Sequence, residues 1–333
     1  MILRILVLLI SLTCLVASDK NAEAIIYEPI PEITYPDNNP WSKTKEDLGR
    51  KLFFDPILSA DNSISCSSCH LPEKFWTDGL PVSVGIRNQV LTRNSPSILN
   101  TGFQKTLFWD GRAKSLEEQA LMPIQDKSEM NQGLEELMAE LKSYPDYREM
   151  FESAFSNSEI TPERLAMAIA TFERTLVTSK TAYDLYWQGE KDAMSSAAIR
   201  GMDLFSGKAK CSICHSGPFF TDHQFHNISF TKNKNKQDEG RKRVTLETFH
   251  DGAFKTPGLR GITSTGPYMH DGALTSLKSV IEFYDQGGIS SKRKSPFISP
   301  IGMSDNEKND LLEFLKTLDE NEESYPLLNQ EKQ

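Results

Sequence analysis

The sequence lacks any long hydrophobic run beyond its N-terminus, and strand-like alternation of apolar and polar residues is sparse. No later segment approaches the roughly 20 consecutive apolar residues that cross a bilayer, which excludes a membrane span in the mature protein. The net charge of −9 slightly favours a basic docking partner, and no nucleic-acid partner is expected. Of 333 residues, 38% are hydrophobic and 25% are charged, enough for one large or two ordinary globular domains without disorder, with two domains as the default expectation.

The N-terminus has the layout of a secretory signal. One arginine precedes an apolar run, which ends at the small pair Ala17-Ser18. We therefore predict a signal peptide over residues 1–18 and a periplasmic mature protein. Lipid anchoring at Cys14 ranks second, because Thr13 is not the small residue that normally precedes a lipidated cysteine.

Removal of the signal peptide leaves four cysteines, all in C-x-x-C-H units: Cys66, Cys69, Cys211 and Cys214. A C-x-x-C pair alone could form a disulfide, a redox pair or half a zinc site. The histidine that follows decides, because covalent haem c needs two cysteines at this spacing and an adjacent imidazole for the iron. We predict two covalently bound c-type haems, with His70 and His215 as proximal ligands.

The similarity between the two motifs extends to both flanks. "GRKLFF" begins at Gly49 and "GMDLFS" at Gly201, while "FWTD" and "FFTD" follow the two histidines. An internal repeat of this length indicates two related domains and not a solenoid.

Helical periodicity dominates the segments between these motifs. Thr161 and Pro162 are typical of a helix N-terminus, and Ser304 with Glu307 forms a capping-box pattern. "TSLKSVIEFYDQGG" places apolar residues and Tyr284 on one face before two glycines. The predicted fold is mostly α.

Two haems alone do not distinguish an enzyme from an electron carrier. A carrier closes both irons with a sixth ligand, such as histidine or methionine. No other histidine and no methionine lies between His70 and Trp109, so nearby sequence offers no obvious cap for the first iron.

The ordered segments "CSSCH", "TRNSPSILN", "LFWDGRAKSLEEQALMPI", "CSICHSGPFFTD", "FKTPGLRGI" and "GPYMHDGALTSLKSVIEFYDQGG" resemble the bacterial di-haem cytochrome c peroxidase family, including its MauG-type branch. The resemblance runs from about Asp47 to about Leu318. It implies two cytochrome c-like haem domains with long loops around their interface. We assign residues 19–190 to an N-terminal peroxidatic domain and residues 191–333 to a C-terminal electron-transfer domain.

The resemblance also implies roles for residues near the "WDGR" motif. Gln119 and Glu129 match the amide and the carboxylate that handle peroxide at the first haem, and Trp109 matches the tryptophan between the haems. A carboxylate beside an open iron can move a proton between peroxide oxygens. Asp110 and Arg112 are expected to fix the loop as an ion pair.

Two positions depart from the typical family pattern. Ile86 stands where many members carry a histidine that caps the first haem, which implies a first iron ready for peroxide. Tyr284 stands where typical members place the methionine ligand of the second haem, and a phenolate favours ferric and higher oxidation states. A buried core tyrosine is the alternative, with Met269 or Met303 as the ligand.

The family also holds calcium between its domains. Asn94 and the backbone oxygens of Thr265 and Pro267 match those positions, and neutral oxygen donors suit this ion. Four other histidines receive no predicted role: His223, His226, His250 and His270.

The resemblance implies an oxidoreductase of the cytochrome c peroxidase type that reduces hydrogen peroxide to water. Its electrons come either from a small cytochrome c or cupredoxin, or from residues of a partner protein, as in MauG-type cofactor maturation. A non-catalytic di-haem carrier is a further alternative, and a homodimer remains open.

Overall fold

A computed structural model gives the arrangement of residues 27–178, 180–230, 238–289 and 291–320. The predicted signal peptide and Cys14 lie outside these ranges. No helix in the described ranges combines the length and the apolar character that crossing a membrane requires.

Helices account for most of the regular structure in the described ranges, in agreement with the predicted mostly-α fold. The first part of the chain contains α1 (Lys43–Phe54), α2 (Leu116–Gln125), α3 (Leu134–Ser143), α4 (Pro145–Phe155) and α5 (Pro162–Arg174). The second contains α6 (Ala182–Trp187), α7 (Ser196–Ser206), α8 (Lys242–Thr245), α9 (Leu277–Asp285) and α10 (Asp305–Lys316). Two short antiparallel ribbons join β1 (Val84–Gly85) to β2 (Gln89–Val90) and β3 (Phe225–His226) to β4 (Phe254–Lys255).

The predicted helix ends agree with the structure. The Thr161 side chain accepts a hydrogen bond from the backbone of Arg164 at the start of α5. Ser304 and Glu307 form both hydrogen bonds of the capping box that opens α10. These local bonds satisfy backbone N–H groups that a helix start leaves without partners.

The repeated glycines mark two equivalent helix crossings. Gly49 in α1 lies so close to α5 that an added Cβ would come within 1.9 Å of the Ala168 carbonyl oxygen. Gly201 in α7 lies equally close to α10, where an added Cβ would come within 2.0 Å of the Asp310 carbonyl oxygen. Glycine is needed at both positions because any side chain would separate the helices.

Each crossing supports a cluster of aromatic rings. In the first half, Phe53 lies 5.7 Å from Trp76 and 5.3 Å from Phe172, between ring centroids. In the second half, Phe205 lies 6.1 Å from Phe220 and 5.2 Å from Phe314. The sequence repeat is therefore a repeat of packing.

The two halves bury separate apolar cores. The first core draws on residues 48–176 and the second on residues 183–318. Tyr183, which precedes the predicted boundary at 190/191, packs in the second core and donates its backbone N–H to the Thr317 carbonyl at 3.1 Å. The division into residues 19–190 and 191–333 stays a prediction.

Candidate active site

Both C-x-x-C-H segments fold as the same short turn. Cys66–Ser68 and Cys211–Ile213 each form one turn of 3₁₀-helix, and all four cysteines are free of disulfides. Burial raises the pKa of Cys69 to about 11 and of Cys211 to about 12. A redox-active pair depends on a lowered thiol pKa, so this environment does not fit that alternative.

Each motif histidine is held through its Nδ1 atom. His70 Nδ1 lies 3.0 Å from the Trp76 carbonyl oxygen, and His215 Nδ1 lies 2.9 Å from the Phe220 carbonyl oxygen. Burial lowers the pKa of both imidazoles, which favours the neutral form. A neutral imidazole that donates from Nδ1 keeps Nε2 available for a metal, as metal-bound histidines usually do.

One continuous cavity of about 1210 Å³ is lined by both motifs. Cys66, Cys69 and His70 line one part, and Cys211, Cys214 and His215 line another. Free cysteines, oriented imidazoles and a large enclosed space together fit two covalent haems.

The residues matched to peroxide chemistry line this cavity. Gln119 comes from α2 and Glu129 from the loop that follows it. Burial raises the pKa of Glu129; nearby Asp126 raises it further, while Arg112 opposes both effects. A carboxyl group with a raised pKa can hold and release a proton closer to neutral pH.

Ile86 lies against Glu129 through the backbone. Its N–H donates to the Glu129 carbonyl oxygen at 2.7 Å, and the residue is only 2% exposed. Ile86 is not among the cavity-lining residues, whereas its neighbour Gly85 is. The position matched to a capping histidine thus carries a packed aliphatic side chain beside the candidate acid–base group.

Trp109 lines the cavity where the two halves meet. Its indole N–H donates to the Asn94 carbonyl oxygen at 2.9 Å, and its own carbonyl accepts from the backbone of Lys255 at 2.9 Å. The expected ion pair follows directly, with Arg112 Nη1 3.1 Å from Asp110 Oδ1. Arg93 also contacts Asp110, at 2.7 Å.

Tyr284 projects from α9 into the second part of the cavity. Burial raises the pKa of its phenol, and smaller contributions come from Cys211 and Cys214, which line the same cavity. A metal would therefore have to stabilise the phenolate. Met269 and Met303 also line the cavity, so lining alone does not exclude them.

The predicted calcium positions lie on neighbouring loops. Asn94 receives a backbone contact from the second half, since its N–H donates to the His270 carbonyl oxygen at 2.8 Å. Its side-chain amide donates to the Leu80 carbonyl oxygen at 2.8 Å. Thr265 and Pro267 line the same cavity.

The four histidines without a predicted role differ in their surroundings. His223 has a buried Nδ1 without a hydrogen-bond partner in the described ranges, and His270 stacks on Phe254 with ring centroids 3.8 Å apart. His226 pairs with Asp222 at 2.7 Å, and His250 with Thr245 at 2.9 Å. None acquires a role from these contacts.

Two residues that line the cavity were not predicted from the sequence. Glu173 in α5 is 6% exposed, and burial raises its pKa to about 8. Its spacing was a usable signal, because it follows the apolar Ile169 by four residues on one helix face. Lys255 in β4 is 8% exposed, and burial lowers its pKa to about 7.

Comparison with known proteins identifies the family. The family model described as di-haem cytochrome c peroxidase matches residues 43–192. "Methylamine utilization protein MauG" from Methylorubrum extorquens is 42% identical over 287 residues, covering 86% of this chain and 81% of that protein. The chain belongs to the di-haem cytochrome c peroxidase family.

Two further relatives agree with this membership. Cytochrome c551 peroxidase from Nitrosomonas europaea is 36% identical over 293 residues, covering 87% of this chain and 83% of the relative. The crystal structure of a MauG-like protein associated with microbial copper homeostasis superimposes with a TM-score of 0.83 at 35% identity, covering 89% and 95% of the two chains.

Membership confirms the predicted family, the mostly-α fold, the peroxidase-type oxidoreductase class and the two c-type haems. The individual roles of the site residues stay predictions, as do calcium, the signal peptide and the electron donor.

Proposed function

We propose that this di-haem peroxidase reduces hydrogen peroxide to water in the first part of the cavity, beside His70. The observation that carries the proposal is that Gln119 and Glu129 line the same cavity as His70, with burial raising the pKa of Glu129. Ile86, at the position matched to a capping histidine, is buried and donates its backbone N–H to the Glu129 carbonyl oxygen.

The protein groups divide the chemistry between them. When bound, the haem iron supplies the redox chemistry that breaks the O–O bond. Glu129 accepts the proton of one peroxide oxygen and returns it to the other oxygen, which leaves as water. The Gln119 amide holds the peroxide in place. In total, one peroxide, two electrons and two protons give two waters.

Trp109 connects the two halves in this proposal. Its position at their meeting point suits an electron relay, since two short transfers are faster than one long one. Tyr284 is assigned as the second ligand of the second haem, because it matches the family's ligand position and lines the cavity together with Cys211 and Cys214. A phenolate there would stabilise oxidised states.

The electron paramagnetic resonance spectrum of the resting ferric protein tests this proposal. We expect one high-spin and one low-spin haem in equal amounts, because the first iron is open while Tyr284 closes the second. The high-spin signal should disappear rapidly when peroxide is added. Two low-spin signals with no rapid reaction would instead indicate an electron carrier.

A second candidate function is oxidation of residues in a partner protein. It is favoured by the relative named MauG, at 42% identity, together with a tyrosine beside the second motif. Steady turnover of peroxide with a reduced small cytochrome c or cupredoxin would support the first function. Failure of both donors, with peroxide-dependent oxidation of side chains in a co-purified protein, would support the second.

The export and calcium proposals can be tested together. We propose a periplasmic protein that binds calcium through Asn94 and the carbonyl oxygens of Thr265 and Pro267. Purification from a periplasmic extract with one calcium per chain is the expected result. Treatment with a calcium chelator should change the haem spectra, and re-addition of calcium should restore them; unchanged spectra would count against this site.

A further inference from the structure

Lys255 directs three hydrogen bonds toward one segment of the other half of the molecule. Its ε-amino group donates to the Thr106 carbonyl oxygen at 2.6 Å and to the Gln104 side-chain oxygen. Its backbone N–H donates to the Trp109 carbonyl oxygen at 2.9 Å. One residue of β4 therefore holds both ends of the stretch that leads into Trp109.

Arg241 holds the other side of the same stretch. Its guanidinium donates to the carbonyl oxygens of Asp110 and Gly111, at 2.9 and 2.7 Å. The indole N–H of Trp109 is meanwhile fixed to Asn94. Residues 104–111 are thus clamped from the second half, while the ring itself is oriented from the first.

A buried amine is a costly way to fasten a loop. Lys255 is 8% exposed, and its side chain has no carboxylate within salt-bridge distance in the described ranges. Burial lowers its pKa to about 7, with Asp110 acting in the opposite direction. Burying such a group costs free energy that an apolar side chain would not, which marks a candidate functional position.

Other charges near Lys255 come from both halves. Asp110 belongs to the clamped stretch, and its carboxylate is held by Arg93 and Arg112. On the other side lies His223, whose pKa is lowered by burial and then by both Lys105 and Lys255. Among these charged residues, Lys255 is the one that both bonds to residues 104–111 and changes its charge near neutral pH.

We propose that Lys255 is a positioning residue that fixes the Trp109 segment and makes electron transfer through the indole sensitive to pH. This inference rests on the relay assigned to Trp109 above. In a relay, Trp109 gives up one electron and regains one, while its N–H stays bonded to Asn94. A positive charge nearby disfavours the electron-poor indole, so the relay is slower while Lys255 is protonated and faster once the proton is lost.

Two measurements on the haem-loaded full chain separate positioning from charge. The first is amide hydrogen exchange in residues 104–111. The second is the rate at which the second haem is oxidised after the first reacts with peroxide, followed by stopped-flow absorbance across neutral pH. The unaltered protein should show a severalfold rise in rate with a midpoint near 7, where burial sets the pKa of Lys255.

Three variants give distinct expectations. Lys255→Met should accelerate exchange in residues 104–111 and remove the midpoint. Lys255→Gln keeps a hydrogen-bond donor without a charge, so it should retain slow exchange and lose the midpoint. Lys105→Met, which removes a neighbouring exposed charge, should retain both properties.

The outcomes are decisive in both directions. Unchanged exchange in Lys255→Met would overturn the positioning role, and a retained midpoint in Lys255→Gln would overturn the pH effect. Trp109→Phe tests the relay separately. If that variant transfers electrons at the original rate, the relay is wrong, whereas the exchange result for Lys255 still decides whether it positions the segment.

Discussion

The two halves of the molecule share a frame but differ in what faces the cavity. Gly49 and Gly201 allow the same close helix crossing, and His70 and His215 are held by the same backbone contact. The frame is a matter of close packing, which tolerates little change. The sequence segments that produce this packing are therefore similar in the two halves.

The residues that line the cavity differ between the two halves, although the frame is the same. The first part carries an amide and two carboxyl groups with raised pKa values: Gln119, Glu129 and Glu173. The second part carries Tyr284, with Met269 and Met303 nearby. Protonatable groups suit proton transfer, while a phenol or thioether suits iron ligation. This contrast supports the proposed peroxide chemistry in the first half and the proposed storage of oxidising equivalents in the second.

The largest expected effect comes from removing the acid–base group of the first half. Glu129→Gln should slow reaction with peroxide by roughly 10²–10⁴-fold, because the amide cannot carry the proton between the oxygens. Stopped-flow absorbance measures the rate, and both haem spectra at rest should stay the same.

Glu118→Gln is the matched control, since this exposed glutamate lies on the same α2 helix as Gln119. It should react at the original rate. Equal rates for Glu129→Gln and the unaltered protein would contradict the proposed role of the first half in peroxide chemistry.

Tyr284→Phe should alter the second half alone. Loss of the phenolate should remove the low-spin signal of one haem, and Tyr284→Met should restore a six-coordinate iron with a higher reduction potential. Electron paramagnetic resonance and a redox titration measure these changes. The first haem should keep its high-spin signal in both variants.

Tyr268→Phe is the control for loss of a hydroxyl. Tyr268 also lines the cavity, and its hydroxyl donates to the Ile262 carbonyl oxygen at 3.0 Å. This variant should lose about 1 kcal/mol of stability and keep both spectra. If Tyr284→Phe behaves in the same way, Met269 or Met303 becomes the candidate ligand.

Gly49→Ala and Gly201→Ala test whether the shared frame matters equally in both halves. Each added Cβ would meet a backbone carbonyl of the crossing helix, so we expect each to cost about 1–3 kcal/mol. Thermal unfolding of the haem-loaded protein measures the loss. Gly133→Ala gives the cost of a weaker helix cap without a backbone clash, because Gly133 is the N-cap of α3 and its nearest neighbour is the movable Glu136 carboxylate.

Costs that differ widely between Gly49→Ala and Gly201→Ala would show that one crossing can relax. The frames would then be alike in geometry but not in energetic importance.

The effect expected from Glu173→Gln is confined to alkaline pH. Burial raises the pKa of Glu173 from 4.5 to about 8. The folded state binds the Glu173 proton more tightly than the unfolded state does. The stabilising contribution of Glu173 is therefore complete below about pH 4.5 and is lost as the pH rises toward 8. The variant should match the unaltered protein in acid and exceed it in stability, by up to a few kcal/mol, above pH 8.

Unfolding by urea at acidic and alkaline pH measures this difference. Asn is too short to reach the same place, so Glu173→Asn should lose packing at both pH values. A constant gap between Glu173→Gln and the unaltered protein would mean that Glu173 does not hold its proton in the folded state.

Local sequence determined the repeated frame of this protein. The C-x-x-C-H units fixed the turns, the cap residues at Thr161 and Ser304 fixed helix starts, and the glycine-containing flanks fixed the crossings. These features depend on neighbours within a few residues or on the absence of a side chain. Both can be read from the sequence alone.

Only the tertiary structure decided which groups share the cavity and how they ionise. Glu173 lies in a helix with a charged neighbour, and Lys255 lies in a short strand. Neither residue type indicates a functional site by itself. Their pKa values shift because distant segments bury them, and desolvation depends on everything that packs around a group. The contact between Lys255 and Trp109 joins residues far apart in the chain, a pairing that no local pattern encodes.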